Sequence, residues 1–489
     1  MGVKPLYYTV QQGRLFHASS VAELRRLPGL TLTPDPDWMA RYLVDLSASN
    51  TRTCYREVFK APPGHALHWD GHGQPVLRRY HHWRDDAPFT TRRDPRWVEA
   101  YRAVLEEAIR CRMDEGAPMG KENSGGIDSA TVTAFLAHLL GEPGDRLHSF
   151  GFAIFEREPA MILATSQVRR IVHNHIITAK TLRESWDERI DRIQAILGHP
   201  EQHRIGSGHT PFYRECQQRG IRTLHSGFGG DEVVTNPGHH LRRELMDRRH
   251  YATLSQTFPG NHATRPLRLI KLALADRRRE PLNPVMLRMR RNQWAHVVLR
   301  PEISRALGLG DEYAGSAHGG YAYRRTNDYI LQGILPRPYI ATRLEHCTII
   351  AAAHGVDYRW PLWDVRLVQQ YLSTPSIEKY GPGGMDLYLH RRAIDQVVPN
   401  CIAWTPRKSM GLRTMRSGPG DDLINRQKTW LRDLEANLHP DILPLIDREK
   451  LKSQISKAGV SDAAFQVVFT CGIHALHQLD RWLKHHSVG

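Results

Sequence analysis

The spacing of hydrophobic and polar positions changes three times along the chain. Near the start, short runs rich in β-branched and aromatic residues alternate with turn residues: Pro5–Val10, Arg14–His17, Ala61-Pro-Pro-Gly64 leading into His65–Trp69, Asp70-Gly71, then Val76–Trp83. That pattern predicts an antiparallel β module with short turns. A polar break follows at Arg92–Pro95, and Trp97, Val98, Tyr101, Val104, Leu105 and Ile109 then recur at helical spacing within Trp97–Arg112.

Beyond the break, strand-like and helical patterns alternate. Ser124–Leu140 reads as a turn plus helix, Leu147–Ile154 as a strand, Ala160–Val172 as a helix and Thr223–Ser226 as a strand. Such alternation predicts an α/β fold with a parallel sheet covered by helices. From about Leu241 onward the pattern is mostly helical. Two domains are expected, a β module over residues 1–90 and an α/β domain over 91–489.

Composition narrows the class. With 40% hydrophobic and 24% charged residues in 489, the chain is neither disordered, collagen-like nor a membrane bundle. Its longest apolar stretches, such as Ile349–Ala353, are too short to span a bilayer, and no signal pattern opens the sequence, so a cytoplasmic location is expected. Cys54, Cys111, Cys216, Cys347, Cys401 and Cys471 are scattered without CxxC spacing and read as buried small hydrophobes. A net charge of +16 implies an attraction for anions without choosing among nucleic acid, ATP and an acidic peptide. Arg277, Arg278, Arg279, Arg288, Arg290, Arg291 and Arg300 form a dense basic set, more simply a solvated helix face than a landing surface for an anionic partner.

Two segments carry candidate chemistry. Ser124-Gly125-Gly126-Ile127-Asp128-Ser129 opens the helix Ala130–Leu140, and its glycines and hydroxyls suit a phosphate chain held at a helix N-terminus. It is neither a Walker A loop nor GxGxxG. Ser226-Gly227-Phe228-Gly229-Gly230-Asp231-Glu232 directly follows a strand, at the edge where parallel sheets present ligands. Asp128 and Asp231 suit a shared Mg²⁺ bound to a triphosphate, because hard divalent cations take one or two carboxylates plus phosphate oxygens.

These loops, with Pro361-Leu-Trp-Asp364, resemble the three landmarks of the asparagine synthetase superfamily. Gly2-Val-Lys-Pro-Leu-Tyr-Tyr8 and Pro62-Pro-Gly-His65 are similar to its glutaminase-like N-terminal half. The resemblance implies a parallel-sheet ATP-pyrophosphatase domain that uses ATP and Mg²⁺ to adenylate a carboxylate before an amine attacks. By the same resemblance Ser124, Gly125, Gly126, Asp128 and Ser129 would hold the pyrophosphate. Asp128 and Asp231 would ligate Mg²⁺, and Phe152, Ser226 and Gly227 would line the nucleobase pocket. Lys408, with Arg407 as competitor, falls where the superfamily keeps a charge-stabilising lysine.

Departures from the superfamily pattern point to a subclass. No cysteine stands at the N-terminus as nucleophile, the first being Cys54, so the expectation is a truncated module without glutaminase activity. Phe228 stands where asparagine synthetases usually carry an acid, and Glu122-Asn123 replaces their apolar strand end. The chain is most similar to lasso peptide cyclases. These adenylate an Asp or Glu side chain of a precursor peptide and join it to the peptide's N-terminal amine; a leader-peptide protease and a recognition protein are the partners this implies. β-Lactam synthetases are also similar and use a Tyr–Glu pair. Asp386 falls near its acidic member, no tyrosine is convincingly placed as partner, and Tyr358 lies nearby. An ammonia-dependent asparagine synthetase and a PP-loop tRNA-modifying enzyme remain alternatives, the second disfavoured by the Gly-Gly-Asp-Glu loop. The histidine pairs His81-His82, His239-His240 and His485-His486 read as surface residues, and His173 with His175 lacks a third metal ligand.

Overall fold

The computed structural model describes residues 1–114, 116–153, 155–178, 184–202, 205–260, 264–277, 284–315, 322–405, 437–458 and 472–486. Three strands, β1 (Tyr7–Gln11), β2 (Arg14–Ala18) and β3 (Phe59–Lys60), form an antiparallel sheet in the order β2-β1-β3. β4 (His65–His68) and β5 (Val76–Arg79) pair as a separate hairpin. Between β2 and β3 lie two helices that the β pattern does not announce, α1 (Val21–Arg25) and α2 (Pro36–Leu43). Each carries its own start signal: Ser20 and Glu23 form a capping box on α1, and Asp35 caps α2 ahead of Pro36.

The larger sheet has five parallel strands in the order β10-β9-β6-β7-β8: β6 (Met119–Glu122), β7 (Leu147–Phe152), β8 (His173–Ile177), β9 (Thr223–His225) and β10 (Asp357–Arg359). The helices α3 (Pro95–Arg110), α4 (Ile127–Leu140), α5 (Glu158–Val168), α6 (Trp186–Leu197), α7 (Ile205–Gly208) and α8 (Thr210–Gln218) connect or flank these strands. Asp94 caps α3 with Pro95 at its first position, which fixes the start that the polar break announces. Helix α4 buries nearly its whole circumference, from Ser129 through Ala137, because it lies inside the core. The residue pattern announces β7 and β9 but not β6, β8 or β10, and α5 ends at Val168, short of Val172. β8 and β10 lie at the sheet's edges, and β6 is four buried residues without polar–apolar alternation, so the alternation rule has little to register.

Two apolar clusters organise the molecule. One surrounds the parallel sheet and includes Phe135, Phe150, Leu224, Leu344 and Trp363. The other joins the N-terminal sheet and α2 to the C-terminal helix His474–His486, with Trp482 against Trp38 (6.3 Å between ring centroids) and Tyr55 (5.6 Å). A buried ion pair, Lys60 Nζ to Glu345 Oε2 at 2.7 Å, ties β3 to the helix Pro338–Ala352. Among the described residues, no helix is long and apolar enough to cross a membrane.

Several surface readings are corrected here. Cys54, Cys216 and Cys347 are buried, but Cys111 and Cys401 are exposed. Cys111 ends α3 at the surface, where its sulfur receives Arg366 Nη2 at 3.1 Å; Cys471 lies outside the described residues. His240 is fully buried against Tyr329 and is no surface residue. Arg300 is not part of a free basic face, since its Nε donates to the Ile446 carbonyl at 2.9 Å. Arg290 lies over the Tyr313 ring at 4.7 Å, while Arg278 and Arg279 fall outside the described residues.

Candidate nucleotide site

Strands β6 and β9 are adjacent and parallel, so the loops leaving their carboxyl ends emerge side by side. The first loop needs glycine for steric reasons. Gly125 has φ +66°, and a Cβ there would stand 2.5 Å from Met161 Cβ. Gly126 precedes α4 in extended conformation with no side-chain cap, leaving the helix N-terminus open to an anion. The loop is held in shape by its own polar groups: Ser129 Oγ accepts from Ser124 N at 3.1 Å and Asn123 Oδ1 from Gly125 N at 3.0 Å.

The second loop enters a π-helical turn, Gly230–Val234. Its glycines permit contact with the first loop. A Cβ on Gly227 would lie 2.8 Å from Ser129 N, and one on Gly230 would lie 2.3 Å from Asp128 Cγ. Any side chain there would push the two loops apart.

That contact creates an electrostatic conflict. Asp128 Oδ1 is sealed from solvent and has no hydrogen-bond partner, while Asp231 is exposed. Burial, then the Asp231 charge and then that of Glu232, raise the Asp128 carboxyl well above the usual carboxylate range; the Thr235 hydroxyl and the Asp231 backbone relieve this only in part. A divalent cation removes that conflict, and two carboxylates supplemented by phosphate oxygens suit Mg²⁺ better than a fully protein-ligated metal. No cluster of three or more His, Cys, Asp or Glu suited to a metal occurs among the described residues. His173 and His175 gain a third histidine, His148, but the rings stack in parallel within 8° and do not converge on a point.

Ser124, Gly125, Gly126, Asp128, Ser129, Ser226, Gly227 and Asp231 thus come together at one sheet edge. Phe152 ends β7 at the same edge, with its ring 4.3 Å from Phe212 on α8. Asp386 is tied to Arg391 at 3.1 Å and not to a tyrosine. Tyr358, on β10, meets Glu122 and Ser226 instead. Lys408 and Arg407 lie outside the described residues. In the third landmark, Asp364 caps the helix Val365–Ser373 and accepts Arg112 Nη1 at 2.7 Å, a structural duty. Burial raises its pKa, but hydrogen bonds from Arg366 and Arg112 overcome this and hold it at about 2.

Further charge surrounds the two loops, of which the residue pattern singles out Glu122 and Phe228 but not Lys121 or Arg343. Lys121 is fully buried; its Nζ donates to the Glu122 carbonyl, and burial lowers its pKa to about 7 against the opposing pull of Glu122 and Asp128. Phe228 is sandwiched, with Arg343 4.2 Å from its ring centroid and Trp363 at 6.1 Å. Glu232, raised by burial and steadied by Arg343, accepts the Gly229 N–H at 3.0 Å and so stiffens the loop. The signal of this charge in the sequence was Lys121-Glu122-Asn123, three polar residues ending a strand with no exposed face.

A parallel α/β sheet with two touching glycine loops and paired carboxylates at its carboxyl edge defines a nucleotide-handling class of protein. Comparison with known families makes this specific: the asparagine synthase family matches residues 100–484, and a glutamine amidotransferase domain matches residues 1–81. The chain belongs to the asparagine synthase family, whose enzymes use ATP with Mg²⁺. It is 33% identical over 146 residues to "Amidase chry2" of Gibberella zeae, covering 28% of this chain and 20% of that protein. It is 23% identical over 256 residues to a putative glutamine-hydrolysing asparagine synthetase 2 of Methanocaldococcus jannaschii, covering 50% and 47%. A glutamine-hydrolysing asparagine synthetase of Triphysaria versicolor is 28% identical over 193 residues, 36% and 30% of the two chains. The chain therefore spans between a fifth and a half of the length of these curated relatives.

Proposed function

We propose that this protein is an ATP-dependent, AMP-forming amide ligase that closes an Asp or Glu side chain of a precursor peptide onto the peptide's N-terminal amine. In this reading a carboxylate oxygen bonds to the α-phosphorus of ATP, pyrophosphate leaves, and the amine displaces AMP from the acyl-adenylate. Ser124, Gly125, Gly126 and Ser129 orient the phosphates through the open end of α4. Asp128 and Asp231 would hold Mg²⁺, which when bound would supply positive charge beside the phosphates. Phe152, Ser226 and Gly227 flank the nucleobase, and Lys408 keeps the charge-stabilising role the family resemblance implies. Residues 1–90 act as a scaffold attached to the synthetase domain of residues 91–489.

The observation that carries the ligase reading is the unpaired Asp128 Oδ1 held against the second loop. The peptide substrate is supported by Phe228 and its Arg343 cover, which replace an acid beside the site with an apolar wall flanked by a cation. Such a wall suits a side-chain carboxylate within a folded peptide better than a free, doubly charged aspartate. Holding both reacting groups on one chain supplies several kcal/mol of the barrier reduction by positioning. The test is mass spectrometry of candidate precursor peptides incubated with the protein, ATP and Mg²⁺. Loss of one water, with a protease-resistant product, is the expected result; asparagine formed from free aspartate contradicts the peptide assignment.

A further inference from the structure

At the carboxyl edge of the sheet, Glu122 ends β6 one residue before Asn123 and the phosphate-cradling loop. Asparagine synthetases carry an apolar residue at this point, so a buried carboxylate here needs a physical reason. Its partner is His209, which directly precedes α8: His209 Nδ1 lies 2.5 Å from Glu122 Oε1. Among the described residues, the opposite ring nitrogen, Nε2, has no hydrogen-bond partner. The His209 side chain keeps 21% of its exposure, whereas Glu122 keeps 11%.

The pair is wired to both loops. Tyr358, 2% exposed on β10, meets the Glu122 carboxylate and the Ser226 hydroxyl, and Ser226 Oγ in turn accepts the Phe228 N–H at 3.2 Å. His209 also packs edge-on against Phe212, whose ring covers Phe152. One end of this chain of contacts is therefore the second glycine loop, and the other is an imidazole with a vacant nitrogen beside the nucleobase wall.

We infer that the Glu122–His209 pair is the proton acceptor for the amine that attacks the acyl-adenylate. The inference rests on the amide-forming reading above and adds a group that it lacks. In the step, the amine nitrogen bonds to the acyl carbon, the carbon–oxygen bond to AMP breaks, and AMP leaves with that electron pair. The surplus N–H proton passes to His209 Nε2 and later to solvent. Glu122 stays ionised throughout; it fixes the Nδ1–H tautomer and stabilises the imidazolium, which makes it a positioning residue. Burial alone would protonate it, yet His209, Lys121 and Tyr358 hold it at about 2. The charged and titratable neighbours of the pair are Lys121 on β6, Tyr213 and Cys216 on α8, Tyr358 on β10, and Cys347 on the helix Pro338–Ala352.

The test has two arms on the full chain. In the first, diethyl pyrocarbonate labelling is read by mass spectrometry with and without Mg·α,β-methylene-ATP. Labelling of His209 that the nucleotide suppresses is expected; an unlabelled or unprotected His209 overturns the inference whatever the substrate. In the second, ATP–pyrophosphate exchange and amide formation are compared using two probes, L-aspartate with ammonium, and a peptide with an N-terminal glycine and one internal glutamate. His209→Ala should keep the exchange of the parent protein while amide formation falls by about 10²-fold or more, the usual worth of a general base. Glu122→Gln should retain part of that activity, because the amide oxygen can still accept the Nδ1–H and hold the ring in place. Equal loss of both reactions in His209→Ala would make His209 a nucleotide ligand and overturn the base assignment. Absence of exchange in the parent protein with either probe would count against the ligase reading and leave the labelling arm to decide the role of His209.

Discussion

Among single residues, the contact between the two loops depends on what a side chain or its absence permits. Gly230 is required because its α-carbon stands against the Asp128 carboxylate. Gly230→Ala is expected to cost about 1–3 kcal/mol of stability, as a forced misfit in a packed site does, and to abolish Mg·ATP binding; a folded variant that binds Mg·ATP normally in calorimetry would show that the loops need not touch. Asp128 and Asp231 were legible in the sequence because their glycine loops carry distinctive spacing. Glu122 was visible only as a departure, and its partner His209 was not, because a hydrogen bond between residues 87 positions apart leaves no local pattern. Asp386 illustrates the converse: its position matched a family feature, but the structure pairs it with Arg391.

At the scale of elements, strand β6 is unusual in ending Lys121-Glu122 with both residues buried. A lysine whose folded pKa is lowered to about 7 from 10.5 binds fewer protons than the unfolded chain between those values. Stability should therefore rise as pH increases from about 7 toward 10, and Lys379, also lowered to about 7 by burial, adds to the slope. Lys121→Met is expected to flatten that rise in urea melts taken at several pH values; an unchanged slope would mean that Lys121 is not the group responsible. Glu122 tilts stability the same way with pH, in a lower window. With its folded pKa at about 2 against 4.5, it adds stability above 4.5 that is lost as pH falls toward 2. The parallel α/β pattern was readable because turn residues separate the apolar helix Ala130–Leu140 from the strand-like runs at Leu147 and Thr223. Helices α1 and α2 were not, since they are brief and set among β-like segments, although Ser20 with Glu23 and Asp35 with Pro36 were start signals in plain view.

At the scale of the whole molecule, the N-terminal module and the C-terminal helix share one core, with Trp482 as its largest fully buried side chain. This closure between chain ends was not legible, because contacts separated by more than four hundred positions follow from packing and not from pattern. Trp482→Ala is expected to remove about 3–5 kcal/mol, the range for large aromatic truncations, and to lower the melting of the N-terminal sheet along with that of the helix. Independent melting of the two would contradict a shared core. Through Lys60 and Glu345, that same module braces the helix carrying Arg343, so loosening it should weaken substrate turnover before it weakens nucleotide binding.

If two loops grip one metal-bound nucleotide, a double-mutant cycle followed by calorimetry reveals it. Titration of Mg·α,β-methylene-ATP into the parent protein, Asp128→Ala, Asp231→Ala and the double variant should give strongly non-additive losses, because removing either carboxylate releases the same ion. Additive losses, each variant subtracting its own independent share, would mean that the two aspartates serve different ligands and would contradict the account.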